Sequence, residues 1–150
     1  MPRYMMRLFL GVAVWCTAAL GLAMTPSTAA AQGFKVIVHN DVAAAEITTA
    51  ALSNIFLKKD SKFPGGPEAV PVDLPASAPL RDVFSKAVHG RSTAAVVTFW
   101  QQQVFSGKDT PPPTKPTDEA VVAFVKGTPG AIGYVRDGTA TDGVKVVKLK

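Results

Sequence analysis

Short apolar runs alternate with amphipathic stretches along most of this chain, a pattern typical of α/β domains. Runs rich in β-branched residues predict four strands, at residues 34–39, 70–74, 131–135 and 144–149. Apolar residues at three-to-four spacing predict helices between them, over residues 43–57, 80–88, 92–104 and 117–126. The expected fold is an α/β lobe of three layers, with helices flanking a small mixed sheet of about four strands.

Local signals mark where these elements begin and end. Thr48 or Thr49 is expected to cap the second part of the first helix, and Ser92 to cap the third. Gly90 is expected to end the second helix, since glycine readily adopts the left-handed conformation that follows a helix. Pro71 places the second strand at a sheet edge or makes it short. Residues 107–116 hold four prolines, so they cannot be helical inside.

The first 31 residues have the order of a secretory signal peptide. Arg3 and Arg7 precede an apolar run over residues 8–24, and Ala29, Ala30 and Ala31 supply small residues for cleavage. An uncleaved membrane anchor is the alternative, but the break at Pro26 favours cleavage. We therefore expect a periplasmic protein whose single domain covers residues 32–150.

The cysteine count and the net charge limit the kinds of site and ligand that this chain can have. The one cysteine lies in the leader, so residues 32–150 can form no disulfide and no thiolate metal site. Removing Arg3 and Arg7 lowers the formal net charge from +5 to +3. This mild excess suits an anionic ligand, and it is far from the dense basic surface of a nucleic-acid-binding protein.

Catalytic motifs are absent from the sequence. His39 and His89 lie far apart and outside any metal-ligand spacing, and they are most simply turn or surface residues. The chain carries no nucleophile elbow, phosphate-binding loop or dinucleotide fingerprint. We expect no enzyme activity, no metal and no cofactor.

The candidate binding site is the turn over residues 75–81, where a strand leads into a helix. A helix N-terminus offers free backbone N–H groups, here those of Ala78 and Leu80 among others. Ser77 can add a hydroxyl, and Arg81 can donate two hydrogen bonds to a phosphate or carboxylate. The alternative is ordinary structure, with Ser77 capping the helix and Arg81 pairing with a nearby acid. Tyr134 either lines the mouth of a cleft or simply packs in its strand.

Four segments of the chain carry a family resemblance: LSNIFL at residues 52–57, VPVDL with SAPLRDVF within 70–84, FW through VFSGK within 99–108, and TPGAIGYV at 128–135. Together they resemble the phosphate-type periplasmic substrate-binding proteins of ABC transporters. Full-length members of that family have two lobes and hold their anion between them. This chain is similar to a shortened, single-lobe relative. Leu80 stands near the position of a threonine in the family's phosphate loop, and Ser77 is a shifted substitute.

The resemblance implies one of two functions. The first is a solute-binding-like protein that holds phosphate or a similar oxyanion and serves an ABC transporter permease or a sensor. The alternative is a non-catalytic interaction module that has lost ligand capture and docks on another envelope protein. A homodimer that rebuilds a two-sided cleft is a further possibility under this second hypothesis.

Overall fold

A five-stranded mixed sheet lies at the centre of the fold in the computed structural model, which describes residues 33–150. The strands are β1 Phe34–Val38, β2 Glu46–Ile47, β3 Val70–Pro71, β4 Ala131–Arg136 and β5 Lys145–Leu149. The helices are α1 Thr49–Phe56, α2 Pro79–Phe84, α3 Thr93–Phe105 and α4 Asp118–Gly127. A π-helical stretch, Ser85–His89, continues α2. The predicted signal peptide lies outside the described residues.

The strand order across the sheet is β2-β5-β1-β4-β3. The central strand β1 runs antiparallel to both β4 and β5, whereas β3 and β2 run parallel to β4 and β5 respectively. The sheet is therefore mixed, as predicted, and it ends on each side in a strand of two residues.

Helices cover both faces of this sheet, which confirms the predicted three layers. Adjacent strand residues point to opposite faces. A Cβ added at Gly133 would meet Val121 and Val125 of α4. The next residue, Tyr134, points the other way and stacks on Phe84 of α2, with ring centroids 3.8 Å apart. Glycine at position 133 thus lets α4 approach the sheet closely.

Aromatic rings fill the core on the α2 side of the sheet. The ring of Phe84 lies 5.3 Å from that of Phe34 and 4.9 Å from that of Phe56, and all three side chains are buried. Such offset and edge contacts contribute beyond simple burial of apolar area. The core therefore joins β1, α1, α2 and β4.

The two predicted N-caps, Thr48 and Ser92, are confirmed, Thr117 is a third N-cap, and two predicted elements change. Thr48, Ser92 and Thr117 each accept a hydrogen bond from a backbone N–H in the first turn of their helices. The sheet has five strands instead of four, because residues 46–47 pair with the end of β5 rather than opening a helix. The strand predicted over residues 70–74 is only two residues long. Within residues 33–150, no helix is both long and apolar enough to cross a bilayer.

Candidate functional site

The turn over residues 75–81 lies at the surface, between the edge of the sheet and α2. Ser77 is exposed, whereas Ala78 and Leu80 are half-buried and pack against the core. Ala78 is the N-cap residue of α2, and no side chain caps this helix. Ser77 therefore does not perform the capping role that was one interpretation of the sequence.

Several donors of this turn have no partner within residues 33–150. The N–H of Ala78 donates to the Pro75 carbonyl at 2.9 Å, and that of Arg81 to the Ala78 carbonyl at 3.0 Å. No such bond is formed there by the N–H of Ser77 or of Leu80, or by the Ser77 hydroxyl. Pro79 has no N–H to offer. The turn thus presents a small set of unpaired donors beside an exposed hydroxyl.

Arg81 and Tyr134 do not point toward this surface, because both meet Asp73 in the interior. Arg81 Nη2 lies 3.0 Å from Asp73 Oδ2, and Arg81 Nη1 donates to the Leu74 carbonyl at 2.8 Å. The Tyr134 hydroxyl donates to Asp73 Oδ1 at 2.5 Å. Arg81 is only 6% exposed and Tyr134 is fully buried. The sequence alternative in which Arg81 pairs with a nearby acid is the arrangement observed.

Burial sets the protonation of this cluster. It raises the pKa of Asp73 above its ordinary value, against the opposing effects of the Arg81 charge and the Tyr134 hydrogen bond. Burial also raises the pKa of Tyr134, and the neighbouring Asp73 carboxylate raises it further. Tyr134 is therefore a neutral hydrogen-bond donor at physiological pH.

One N–H group of Arg81, that of Nε, has no hydrogen-bond acceptor among the described residues. This nitrogen is buried. A buried donor without an acceptor costs about 1–3 kcal/mol, so such a group calls for an explanation.

Arg81 also reaches a groove of about 810 Å³ between α3 and the proline-rich segment 111–114, which we call the α3 groove. Its apolar wall includes Trp100, Val104, Phe105 and Pro112. Phe105 is 98% exposed, and Val104 is 51% exposed although it follows the apolar pattern predicted for this helix. The signal for the groove was the second apolar face of α3 followed by three consecutive prolines.

The two histidines have local structural partners. His39 Nδ1 lies 2.7 Å from Asp41 Oδ1, and His89 Nδ1 lies 2.8 Å from the Ser53 hydroxyl. Burial lowers the pKa of His89 to about 4, and the charges of Arg81, Arg91 and Lys59 act in the same direction. Among residues 33–150, no three His, Cys, Asp or Glu side chains group together to hold a metal ion.

This lowered pKa predicts a stability change in acid. Between pH 6.5 and 4 the unfolded chain binds a proton that folded His89 does not, so the free energy of unfolding falls as the pH is lowered. For a partly buried group we expect a loss of about 2 kcal/mol across this window. His89→Gln should remove that loss in urea unfolding at several pH values. His39→Gln, the control, should retain it, and equal pH profiles for the two variants would contradict the prediction.

No family model matches this chain, and no curated protein matches it. Several solved structures share its fold. One is from Clostridium perfringens, assigned as a phosphate ABC transporter substrate-binding protein and solved with bound phosphate. It has a TM-score of 0.62 and 20% identity, and the match covers 78% of this chain and 44% of that one.

Two further structures agree with this result. An ABC-type phosphate transport receptor from Vibrio cholerae matches with a TM-score of 0.56 at 13% identity, covering 78% of this chain and 46% of its own. PstS from Borrelia burgdorferi matches with a TM-score of 0.56 at 12% identity, covering 79% and 47%. The chain therefore has the fold found in phosphate-type substrate-binding proteins, and it spans less than half of their length.

Proposed function

We propose that this protein is an exported, solute-binding-like protein that holds phosphate or a similar oxyanion at the turn over residues 75–81. The observation that carries the proposal is the exposed turn itself, where Ser77 and Leu80 have donors without partners. A fold shared with proteins named for phosphate transport supports this choice of ligand. The positive net charge of the chain favours an anion as well.

The structure changes the roles expected of the five candidate residues. Ser77 supplies a hydroxyl and an N–H to the anion, and Leu80 supplies an N–H. Ala78 shapes the turn through its hydrogen bond to Pro75. Arg81 and Tyr134 are positioning residues, because both bind the Asp73 carboxylate. Arg81 also donates a hydrogen bond to the Leu74 carbonyl, just before the turn.

This geometry implies weak binding. The anion stays largely in water, where charge-assisted hydrogen bonds are weaker than in a closed cleft. We therefore expect a dissociation constant near the millimolar range, and a tighter one only if a second surface closes over the ligand.

Calorimetry with phosphate, sulfate and molybdate tests the proposal directly. We expect measurable heat with phosphate, and Ser77→Ala should weaken binding about tenfold because it removes a hydrogen bond to a charged group. Ser61→Ala changes an exposed serine elsewhere and should bind like the unmodified protein. No heat and no shift in melting temperature at millimolar anion would refute oxyanion binding.

The same experiment separates the alternative, an interaction module of the cell envelope. That function predicts no response to anions, and it predicts either a partner retrieved by crosslinking in cells or a homodimer in light scattering. An ABC transporter permease among the retrieved partners would instead support the uptake or sensing role.

A further inference from the structure

We propose that Asp137 is a covalent modification site, at which the exposed turn over residues 136–139 converts slowly, and without an enzyme, to an isoaspartyl linkage. The reaction passes through a succinimide ring that Asp137 forms with the backbone nitrogen of Gly138. This turn follows β4 and shares no residue with the turn over residues 75–81. The modification therefore stands or fails separately from the proposed function.

Two Asp-Gly pairs occur in this chain, Asp137-Gly138 and Asp142-Gly143. A glycine after an aspartate has no side chain to hinder attack by its backbone nitrogen, and it gives the backbone freedom to rotate. Among dipeptides that begin with aspartate, Asp-Gly is consequently the one that closes a succinimide ring most readily. Both pairs lie in turns between β4 and β5, so their surroundings in the fold decide which pair reacts.

The first pair is open to solvent and free of neighbours. Asp137 and Gly138 are both exposed, and the turn is closed by the Thr139 N–H, which donates to the Arg136 carbonyl at 3.0 Å. The Gly138 N–H forms no hydrogen bond within residues 33–150. A Cβ added at Gly138 would meet no atom within 4 Å. The Gly138 nitrogen can therefore approach the Asp137 carboxyl group without displacing another residue.

The second pair is held by two side chains. The Gly143 carbonyl accepts a hydrogen bond from Asn40 Nδ2 at 3.1 Å, and a Cβ added at Gly143 would lie 2.7 Å from Cε of Lys126. Ring closure at Asp142 rotates the peptide that joins it to Gly143, which breaks the Asn40 bond and displaces Lys126. We therefore expect Asp137 to react about fivefold faster than Asp142 in the folded protein, the factor that one hydrogen bond accounts for.

Water is the only co-reactant that the chemistry needs. The Gly138 nitrogen attacks Cγ of the protonated Asp137 carboxyl group, a C–N bond forms, and the carboxyl OH leaves with the amide proton as water. Water then opens the succinimide at one of its two carbonyl carbons. Attack at Cγ regenerates aspartate. Attack at the backbone carbonyl carbon gives isoaspartate, in which the main chain runs through Cβ and Cγ.

Isoaspartate at position 137 would disturb the contacts that fix the start of α4. The Arg136 N–H, Arg136 Nε and the Thr139 hydroxyl donate to Asp118 Oδ2 at 3.1, 2.8 and 2.9 Å. Both ends of the turn thus meet at one buried carboxylate. The isoaspartyl linkage adds one main-chain atom between these ends. We expect it to break at least one of the three bonds and to lower the melting temperature by roughly 5 °C.

Oxygen-18 labelling of the full chain tests the modification residue by residue. Each succinimide that opens in oxygen-18 water gains one heavy oxygen, and digestion follows in ordinary water. Trypsin cleaves after Arg136 and Lys145, so one peptide holds both aspartates. Electron-transfer fragmentation assigns the heavy oxygen and the isoaspartate to Asp137 or Asp142. We expect about fivefold more label at Asp137 in the folded protein, and comparable labelling of both residues when guanidinium chloride unfolds the chain.

Two variants provide the matched comparison. Gly138→Ala places a methyl group beside the attacking nitrogen and should slow the labelling of Asp137 about tenfold, while the fold has room for the added Cβ. Asp142→Glu alters the second pair and should leave the labelling of Asp137 unchanged. The isoaspartyl form of the unmodified sequence is then separated by chromatography, and its melting temperature is compared with that of the aspartyl form.

Three labelling results would overturn the proposal. These are equal labelling of Asp137 and Asp142 in the folded protein, no label at Asp137 over a period that labels it in guanidinium chloride, and equal labelling of Asp137 in Gly138→Ala and the unmodified protein. Equal melting temperatures of the two separated forms would contradict the effect on Asp118. Anion binding is measured by calorimetry, so a failure here leaves the proposed function unaffected.

Discussion

Replacing Arg81 with methionine is expected to lower the free energy of unfolding at pH 7 by about 3–5 kcal/mol. The substitution keeps much of the side-chain volume but removes the only cation that contacts Asp73 in the described part of the chain. The Asp73 carboxylate is buried, and without a counter-charge it is far less stable there than in water. Urea unfolding at pH 7 measures the loss.

The pH dependence of the variant tests the cause. Burial raises the pKa of Asp73, and the Arg81 charge opposes that shift, so Arg81→Met should raise the pKa further. Folded Asp73 then binds a proton at pH values where unfolded Asp73, near 3.8, does not. The free energy of unfolding of Arg81→Met should therefore decrease as pH rises above about 4, more steeply than that of the unmodified protein.

Two further variants complete this test. Asp73→Asn in the Arg81→Met background removes the buried charge and should restore part of the lost stability. Arg91→Met changes an exposed arginine and should lie within about 0.5 kcal/mol of the unmodified protein. A loss from Arg81→Met no greater than that from Arg91→Met would show that the buried ion pair does not support the fold.

Replacing Gly130 with alanine is expected to cost about 2–5 kcal/mol. Gly130 has φ +73°, a conformation that costs other residues about 1–2 kcal/mol. A Cβ there would lie 2.3 Å from the Glu68 carbonyl oxygen, and relieving such an overlap costs about 1–3 kcal/mol more. The Gly130 carbonyl also accepts from the Val70 N–H at 2.9 Å, so any shift disturbs the pairing of β3 with β4.

Gly138→Ala is the matched control for this variant. A Cβ at Gly138 would have no neighbour within 4 Å, and its backbone is not left-handed. We expect its free energy of unfolding to change by no more than about 0.5 kcal/mol. Chemical denaturation of both variants gives the comparison. Similar losses at the two glycines would contradict the close approach of residue 130 to the Glu68 backbone.

Elements set by local signals were the ones that the sequence predicted well. The strands β1, β4 and β5 have strong β-branched runs, and Thr117 with Asp118 and Glu119 marks the start of α4. By contrast, β2 exists because Glu46 and Ile47 meet Lys148 and Leu149, about 100 residues later. A pairing of that range is decided by tertiary packing, which no local pattern encodes.

The candidate site likewise has features that the sequence predicted and features that depend on tertiary contacts. Its position at the turn before α2 and the exposure of Ser77 agree with what the sequence predicts for a strand-to-helix turn. The inward direction of Arg81 and Tyr134 depends on Asp73, which lies within the strand predicted over residues 70–74. An acid within an otherwise apolar run was the available signal that a buried counter-charge lay elsewhere in the chain. Phe105 follows three glutamines and Val104 and precedes Ser106, and this largely polar surrounding was the available signal of its exposure.

The sheet edge beside β3 is already occupied. Pro71 offers no N–H there, and Asp73 exchanges backbone hydrogen bonds with the proline-rich segment, from its N–H to the Pro113 carbonyl and from the Lys115 N–H to its own carbonyl. An incoming polypeptide thus finds few open main-chain groups along this side. Recognition by β-augmentation is consequently disfavoured next to the candidate site, and a binding partner there has to be selected through side chains.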